Sequence, residues 1–71
     1  MGIRTYRFLI DKADGWNPVR FYRAIAEASQ LTKAEFDETS RILTVEAAWD
    51  PEESVRLACK VSGAIFRVKM D

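Results

Sequence analysis

The spacing of apolar residues predicts four strands. Segments 3–11, 31–38, 42–49 and 64–70 alternate between apolar and polar residues, which is typical of strands with one buried face. Segments 31–38 and 42–49 are separated by a short turn, so they are expected to form an antiparallel hairpin. The residues expected to point into the core are Tyr6, Phe8, Ile10, Ala34, Phe36, Leu43, Val45, Ala47, Trp49, Phe66, Val68 and Met70.

Two stretches with helical spacing lie between these strands. Apolar residues recur at i, i+3, i+4 and i+7 in the first, which is predicted over 18–29. The second is predicted over 51–62 and ends at Gly63, a residue that favours helix C-termini. At each helix start, a side chain that can cap the helix precedes a proline at the first helical position. The two dipeptides are Asn17-Pro18 and Asp50-Pro51.

The element order is therefore β-α-β-β-α-β. Right-handed crossovers place the first and third strands in the middle of a four-stranded antiparallel sheet of order 4-1-3-2, with both helices on one face. This arrangement is the ferredoxin-like sandwich, of the α+β class, and it accounts for residues 1–71 as a single domain. Because this fold hosts many unrelated activities, it does not by itself predict a function.

Three segments of the chain carry a resemblance to a known family. They are the helix-to-strand stretch FYRAIAEASQLTKAEF, the strand-to-helix stretch LTVEAAWDP and the ending SGAIFRV. In these segments the chain resembles a heavy-metal-associated domain, the small module of copper chaperones and metal-pumping ATPases. The resemblance spans nearly the whole chain and implies the same ferredoxin-like fold.

The functional motif of that family is absent from this sequence. The family carries Gly-Met-x-Cys-x-x-Cys in the loop before its first helix. Counting back from Leu31 in the helix register places the two cysteine positions at Asp14 and Asn17, whereas counting forward from Ile10 in the strand register places the first one residue later; neither register contains a cysteine. Soft metal ions need thiolate or imidazole ligands, and this loop has neither. The loop ADGWNPVRF is therefore predicted to turn the chain and start the helix, without binding a soft metal.

A different kind of metal site remains an alternative. Asp11, Asp14 and Asn17 could offer oxygen ligands to a hard cation, although their spacing is not that of a calcium loop. A partner protein could also supply the missing ligands. The alternative function is accordingly a metal-binding or metal-transport domain, and a domain that senses a small molecule ranks third.

Composition argues against several other classes. The chain has no histidine and a single cysteine, Cys59, which is expected to be buried on the second helix and to lack a catalytic base. No glycine-rich phosphate loop is present, so neither an enzyme nor a cofactor site is predicted. The net charge of zero and the inward-pointing aromatic residues disfavour nucleic acid as a partner. No apolar run predicts membrane insertion, and the lone cysteine fits a cytoplasmic location.

The sheet face that the helices leave uncovered is the predicted interaction face. Basic residues are expected on one half, acidic residues on the other and apolar residues between them. The chain is therefore predicted to be an interaction or regulatory module that binds a protein partner or a second copy through this face, with a membrane transporter as a candidate partner. The predicted residues are Arg7, Leu9, Glu35, Asp37, Ile42, Glu46, Ile65, Arg67 and Lys69.

Overall fold

Four strands and two helices make up the protein, in the predicted order. A computed structural model describes residues 2–28 and 31–70 of the 71-residue chain. The elements are β1 (Arg4–Lys12), α1 (Pro18–Glu27), β2 (Leu31–Asp37), β3 (Ile42–Ala47), α2 (Glu52–Ser62) and β4 (Ala64–Met70).

The strands form one antiparallel sheet of order β2-β3-β1-β4. This is the predicted order 4-1-3-2 counted from the opposite edge, so the α+β class and the strand order are confirmed. β1 and β3 occupy the centre, and β2 and β4 are the edges.

The core lies between one face of the sheet and the two helices. Alternate residues of β1 and β3 are fully buried there, together with one stripe of each helix. Burying a large apolar side chain contributes about 1.5–3 kcal/mol, so this cluster supplies most of the stabilisation available to so short a chain. The core residues are Phe8, Ile10, Phe21, Ile25, Leu43, Val45, Val55, Ala58 and Cys59.

The start of α1 is as predicted. Asn17 is the N-cap, and its side-chain oxygen accepts a hydrogen bond from the Arg20 backbone N–H at 3.1 Å. Pro18 occupies the first helical position. A backbone N–H at this position has no acceptor within the helix, so the absence of an N–H in proline costs no hydrogen bond. The helix ends at Glu27, with Ala28 already extended; Ser29, the predicted end, lies outside the described residues.

We expect Asn17→Ala to lower the free energy of unfolding by about 0.5–2 kcal/mol, because the Arg20 N–H loses its acceptor. Urea denaturation followed by circular dichroism measures this change. Asn17→Ser is the matched control, since serine keeps a capping oxygen and should cost much less. Equal losses in both variants would show that the cap is not what Asn17 contributes.

α2 begins one residue later than predicted. Pro51 is the N-cap and is fully buried, and the helix starts at Glu52. The prediction that Asp50 is the N-cap and Pro51 the first helical residue is therefore wrong, although the Asp50 Oδ1 accepts a hydrogen bond from the Glu52 N–H at 2.9 Å. Gly63 ends the helix with φ of 80°, a left-handed conformation that costs glycine little, and this prediction is confirmed.

Trp49 does not point into the core, so the prediction of a strand to residue 49 is wrong. Its side chain is 59% exposed. The reason lies in the register, since Ala47 pairs with Arg4 on one side and Leu31 on the other. Those are the first residues of β1 and β2, so both ladders end at Ala47 and the chain leaves the sheet there.

β4 contains a bulge that reverses the predicted orientation of its last residues. Leu9 pairs with Val68 while Ile10 pairs with Phe66, so Arg67 is an extra, unmatched residue. Beyond it, Lys69 pairs with buried Phe8 on the helix side of the sheet. Because side chains alternate along a strand, Val68 and Met70 then face away from the helices. The predictions that these two point inward and Lys69 outward are wrong.

Candidate functional site

The sheet face opposite the two helices, called the open face below, carries every predicted interaction residue except Lys69. The central strands place Arg7, Leu9, Ile42 and Glu46 on it, because each alternates with a buried core residue. The edge strands add Glu35, Asp37, Ile65 and Arg67. Lys69 instead forms an ion pair with Asp50, 2.6 Å from Nζ to Oδ2, at the start of α2.

The contact with Lys69 lowers the pKa of the Asp50 carboxyl group. The hydrogen bond from Lys69 lowers the pKa of Asp50 against the opposing effect of burial, and the bond from the Glu52 N–H adds to the lowering. The bulge brings Lys69 to the side of the sheet where this carboxylate lies. The basic half of the predicted face therefore loses one of its three members.

The apolar part of the open face is larger than predicted. Leu9 has Ile42 and Val68 as direct cross-strand neighbours, one on each side. Met70 pairs with Arg7 and Ile65 pairs with Asp11, which places both diagonal to Leu9. Val68 is 51% exposed and Ile65 is 42% exposed. We call this set the apolar stripe: Leu9, Ile42, Ile65, Val68 and Met70.

An acidic strip borders the apolar stripe along β2. Glu35 pairs with Thr44 and Asp37 pairs with Ile42, so both carboxylates lie on the open face. Between Arg7, Glu35 and Ile42 the surface forms a shallow groove of about 570 Å³. Asp37 also orders the turn after β2, because its Oδ1 accepts from the Thr39 N–H at 2.9 Å.

Asp11 is the centre of an ion-pair cluster at one end of the open face. Its Oδ1 accepts from Arg41 Nη1 at 2.9 Å, and its Oδ2 accepts from Arg67 Nε at 2.5 Å. The hydrogen bond from Arg67 is the main cause that lowers the pKa of Asp11, and the charges of both arginines add to it against partial burial. Sequence reasoning considered Asp11 only as a metal ligand and missed this cluster.

The three candidate metal ligands have other contacts or no shared site. Both carboxylate oxygens of Asp11 are bound by guanidinium groups, and the Asn17 oxygen caps α1. Asp14 is exposed in the turn before Gly15, whose φ is 82°. Within residues 2–28 and 31–70, no three aspartate, glutamate or cysteine side chains converge on a position that could hold a metal ion.

The loop between β1 and α1 is tied to the core and to the end of α2. The Trp16 ring packs on Phe21 and Phe36, with ring centroids 5.8 and 5.9 Å apart. The backbone N–H of Asn17 donates to the Ser62 carbonyl at 2.8 Å. The loop therefore turns the chain, covers the end of the core and starts the helix.

Cys59 is buried, as predicted. Its side chain is 2% exposed and belongs to the core cluster. Removal from water is the main cause that raises the pKa of its thiol to about 11, against a small opposing effect of the Arg56 charge. A thiol in this environment stays protonated near neutral pH and is a poor nucleophile.

Neither helix could span a bilayer. In the part of the chain that the structure describes, α1 has 10 residues and α2 has 11, and no helix is both long and apolar enough to cross a membrane. A spanning helix needs about 20 predominantly apolar residues.

No protein-family model matches this chain, and the search of curated proteins finds no match. The resemblance to a heavy-metal-associated domain therefore stays a prediction from the residues. The open face and the Asp11 cluster are the structural features on which a proposal of function can rest.

Proposed function

We propose that this protein is a non-catalytic interaction or regulatory module that binds a protein partner through the open face. The observation that carries the proposal is the apolar stripe on a face that none of the described elements covers. In this proposal the protein is a ferredoxin-like sandwich related to the heavy-metal-associated domains, without their thiolate ligands. On that resemblance, a metal transporter is a candidate partner.

The composition of the open face supports binding over simple solvation. A solvated antiparallel sheet face carries polar residues, since each apolar side chain left in water forgoes burial. Here Leu9 is flanked by apolar residues on both neighbouring strands, and charged residues surround them. An apolar centre with a polar rim is the usual arrangement of a protein interface.

The sheet edges are poorer candidates for binding than the face. An exposed edge can recruit another strand, and proteins block this with bulges and lysines. β4 has its bulge at Arg67 and carries Lys69. β2 has a register shift between Leu31 and Lys33. Both edges therefore carry features that oppose strand addition, which favours a partner that packs on the face.

The state of the polar groups supports a non-catalytic role. The one thiol in the sequence is buried and its pKa is about 11. Asp11, whose carboxylate accepts from two guanidinium groups, has a lowered pKa, which suits an ion pair more than a proton-transfer group. These groups contribute to the architecture of the fold.

Site-specific photo-crosslinking tests the proposal. A photoreactive amino acid at Val68, on the apolar stripe, is compared with the same amino acid at Lys60, which is exposed on α2. We expect a discrete protein adduct from position 68, in the cells that produce the protein, and none from position 60.

The mass of the adduct reports whether the partner is another protein or a second copy. Absence of any adduct at position 68, or equal adducts at both positions, would contradict the proposal. Circular dichroism of both labelled proteins verifies that the fold is kept.

A further inference from the structure

We propose that Arg41 and Arg67, held together by Asp11, form a binding site for a phosphorylated side chain of the partner at one end of the open face. The inference rests on the proposed function, because it names the chemical group that the same partner presents beside its apolar contact. Three observations support it: the charge of the cluster, the N–H donors that the cluster leaves unused and the backbone conformation of Arg41.

The Asp11 cluster keeps a positive charge that its own carboxylate does not neutralise. Asp11 accepts from Arg41 Nη1 at 2.9 Å and from Arg67 Nε at 2.5 Å, so one negative group serves two positive ones. The other carboxylates of the turn after β2 have different contacts. Glu38 pairs with a lysine of β1, and Asp37 accepts from two backbone N–H groups of the turn. One positive charge is therefore left for an anionic ligand to offset.

Most N–H groups of the two guanidinium groups have no acceptor. A guanidinium carries five N–H donors, and Arg41 and Arg67 each use one of them for Asp11. Among residues 2–28 and 31–70, neither side chain makes another hydrogen bond. Both side chains are more than half exposed, whereas that of Asp11 is only 18% exposed. The carboxylate thus holds the two groups in place and leaves their remaining donors available to a ligand.

Arg41 has a backbone conformation that glycine adopts more easily. Its φ is 66°, and in the described part of the chain no other residue except glycine has a positive φ. A residue with a Cβ atom is strained in this region. An exposed ion pair such as the one with Asp11 contributes little stability against that strain. Folding alone therefore favours glycine at position 41, and a strained residue at a surface cluster indicates a role in binding.

The ligand chemistry that fits this cluster is a phosphate monoester. It has three terminal oxygens and a charge of about −1.5 to −2 at pH 7, so it can accept from two guanidinium groups at once. Arginine side chains bind phosphate through paired N–H···O bonds. A carboxylate has two oxygens and a smaller charge, so it should bind the same cluster more weakly.

The cluster lies where a partner on the apolar stripe would contact it. Asp11 pairs with Ile65 of β4, which belongs to the stripe and is 42% exposed. A partner segment with an apolar side chain over Ile65 therefore brings its neighbouring groups to Arg41 and Arg67. This position favours a phosphate carried by the partner protein over a free phosphate-bearing molecule.

NMR titration with phenyl phosphate at pH 7 and constant ionic strength tests the site. The guanidinium carbon signals of Arg41 and Arg67 should shift together and give a dissociation constant of about 1–10 mM, as expected for one small group. Benzoate, which joins the same ring to a carboxylate, should bind more weakly. Shifts spread equally over all arginines, or benzoate binding as tightly as phenyl phosphate, would overturn the inference.

Arg41→Gly separates binding from the stability of the fold. It removes a guanidinium and relieves the left-handed strain, so the midpoint of urea denaturation should be unchanged or higher. Its affinity for phenyl phosphate should nevertheless fall at least about tenfold, as should that of Arg67→Gln. Arg23→Gln is the matched control, because it removes one positive charge from an exposed position of α1 and should bind like the wild type. Unchanged affinity in Arg41→Gly would contradict the proposed site.

Crosslinking at Val68 separates failure of this inference from failure of the proposed function. The adduct of the wild type should contain a phosphorylated peptide of the partner, and Arg41→Gly should form much less of it. An unphosphorylated adduct that is equally abundant in Arg41→Gly overturns this inference and leaves the proposed function intact. Phosphate binding by NMR without any adduct contradicts the proposed function and overturns the partner as the source of the phosphate, in favour of a free phosphate-bearing molecule.

Discussion

In the folded protein, Cys59 should react with a small disulfide reagent at least about a thousandfold more slowly than in urea. The thiol is 2% exposed in the core, and burial raises its pKa to about 11. The reagent cannot reach the sulfur of Cys59, and the thiol stays protonated, so it does not attack in the folded state. Labelling therefore requires unfolding. A chain of 71 residues has an unfolding free energy of about 4–11 kcal/mol. At about 4 kcal/mol only about one molecule in a thousand is unfolded, so labelling is already about a thousandfold slower than in urea.

Stopped-flow absorbance at pH 8, with and without urea, measures the two labelling rates.

The raised pKa of the Cys59 thiol also makes the stability of the fold depend on pH. Between pH about 9 and 11, the folded state keeps the thiol proton while the unfolded state has lost it. Stability from this group is present below pH about 9 and declines as the pH rises towards 11. Cys59→Ala should lose less stability than the wild type over that range. Rapid labelling of the native thiol would place Cys59 on the exposed side of α2.

Phe21→Ala should lower the free energy of unfolding by about 3–5 kcal/mol. Phe21 is fully buried on α1 and lies at the centre of an aromatic group. Its ring centroid is 5.8 Å from that of Trp16 and 5.4 Å from that of Phe36. Removing it leaves a cavity that joins the loop before α1 to β2, and the loss approaches the total stability of a domain of this size.

Urea denaturation at about 25 °C measures the effect, with Val19→Ala as the control. Val19 is on the same helix and is 64% exposed, so its truncation should change stability by less than about 0.5 kcal/mol. If Phe21→Ala and Val19→Ala were equally mild, Phe21 would not be part of the core.

The elements and their order could be predicted from the sequence because both depend on local patterns. Period-two alternation identified the strands, and the spacing of Phe21 and Ile25 identified the buried side of α1. The cap at Asn17 and the left-handed Gly63 depend on side-chain chemistry and φ preference at single positions. The crossover rule then restricted the strand order to the one observed.

The bulge in β4 could not be predicted from alternation. The segment from Phe66 to Met70 alternates without interruption, so its sequence alone favours one continuous face. The extra residue is accompanied by contacts with distant parts of the chain, Arg67 with Asp11 and Lys69 with Asp50. Such contacts join residues 56 and 19 positions apart, which local periodicity does not report.

The open face was predicted in outline, but its chemistry was not. Most of the predicted residues lie on it, because the phase of β1, β2 and β3 was correct. Val68 and Met70 were missed, since they follow the bulge. A face expected to be divided between opposite charges therefore has a wider apolar centre and one fewer basic residue.

The single unmatched residue in β4 makes the character of this surface depend on the register of the last residues of the strand. Closing the bulge by a one-residue slip, so that Leu9 pairs with Arg67 and Phe8 with Val68, would turn Val68 and Met70 towards the helices and Lys69 towards the outside. The other three strands would need no substitution. The same sequence can therefore place either apolar or charged side chains beside Leu9, and the bulge decides which of the two the protein presents.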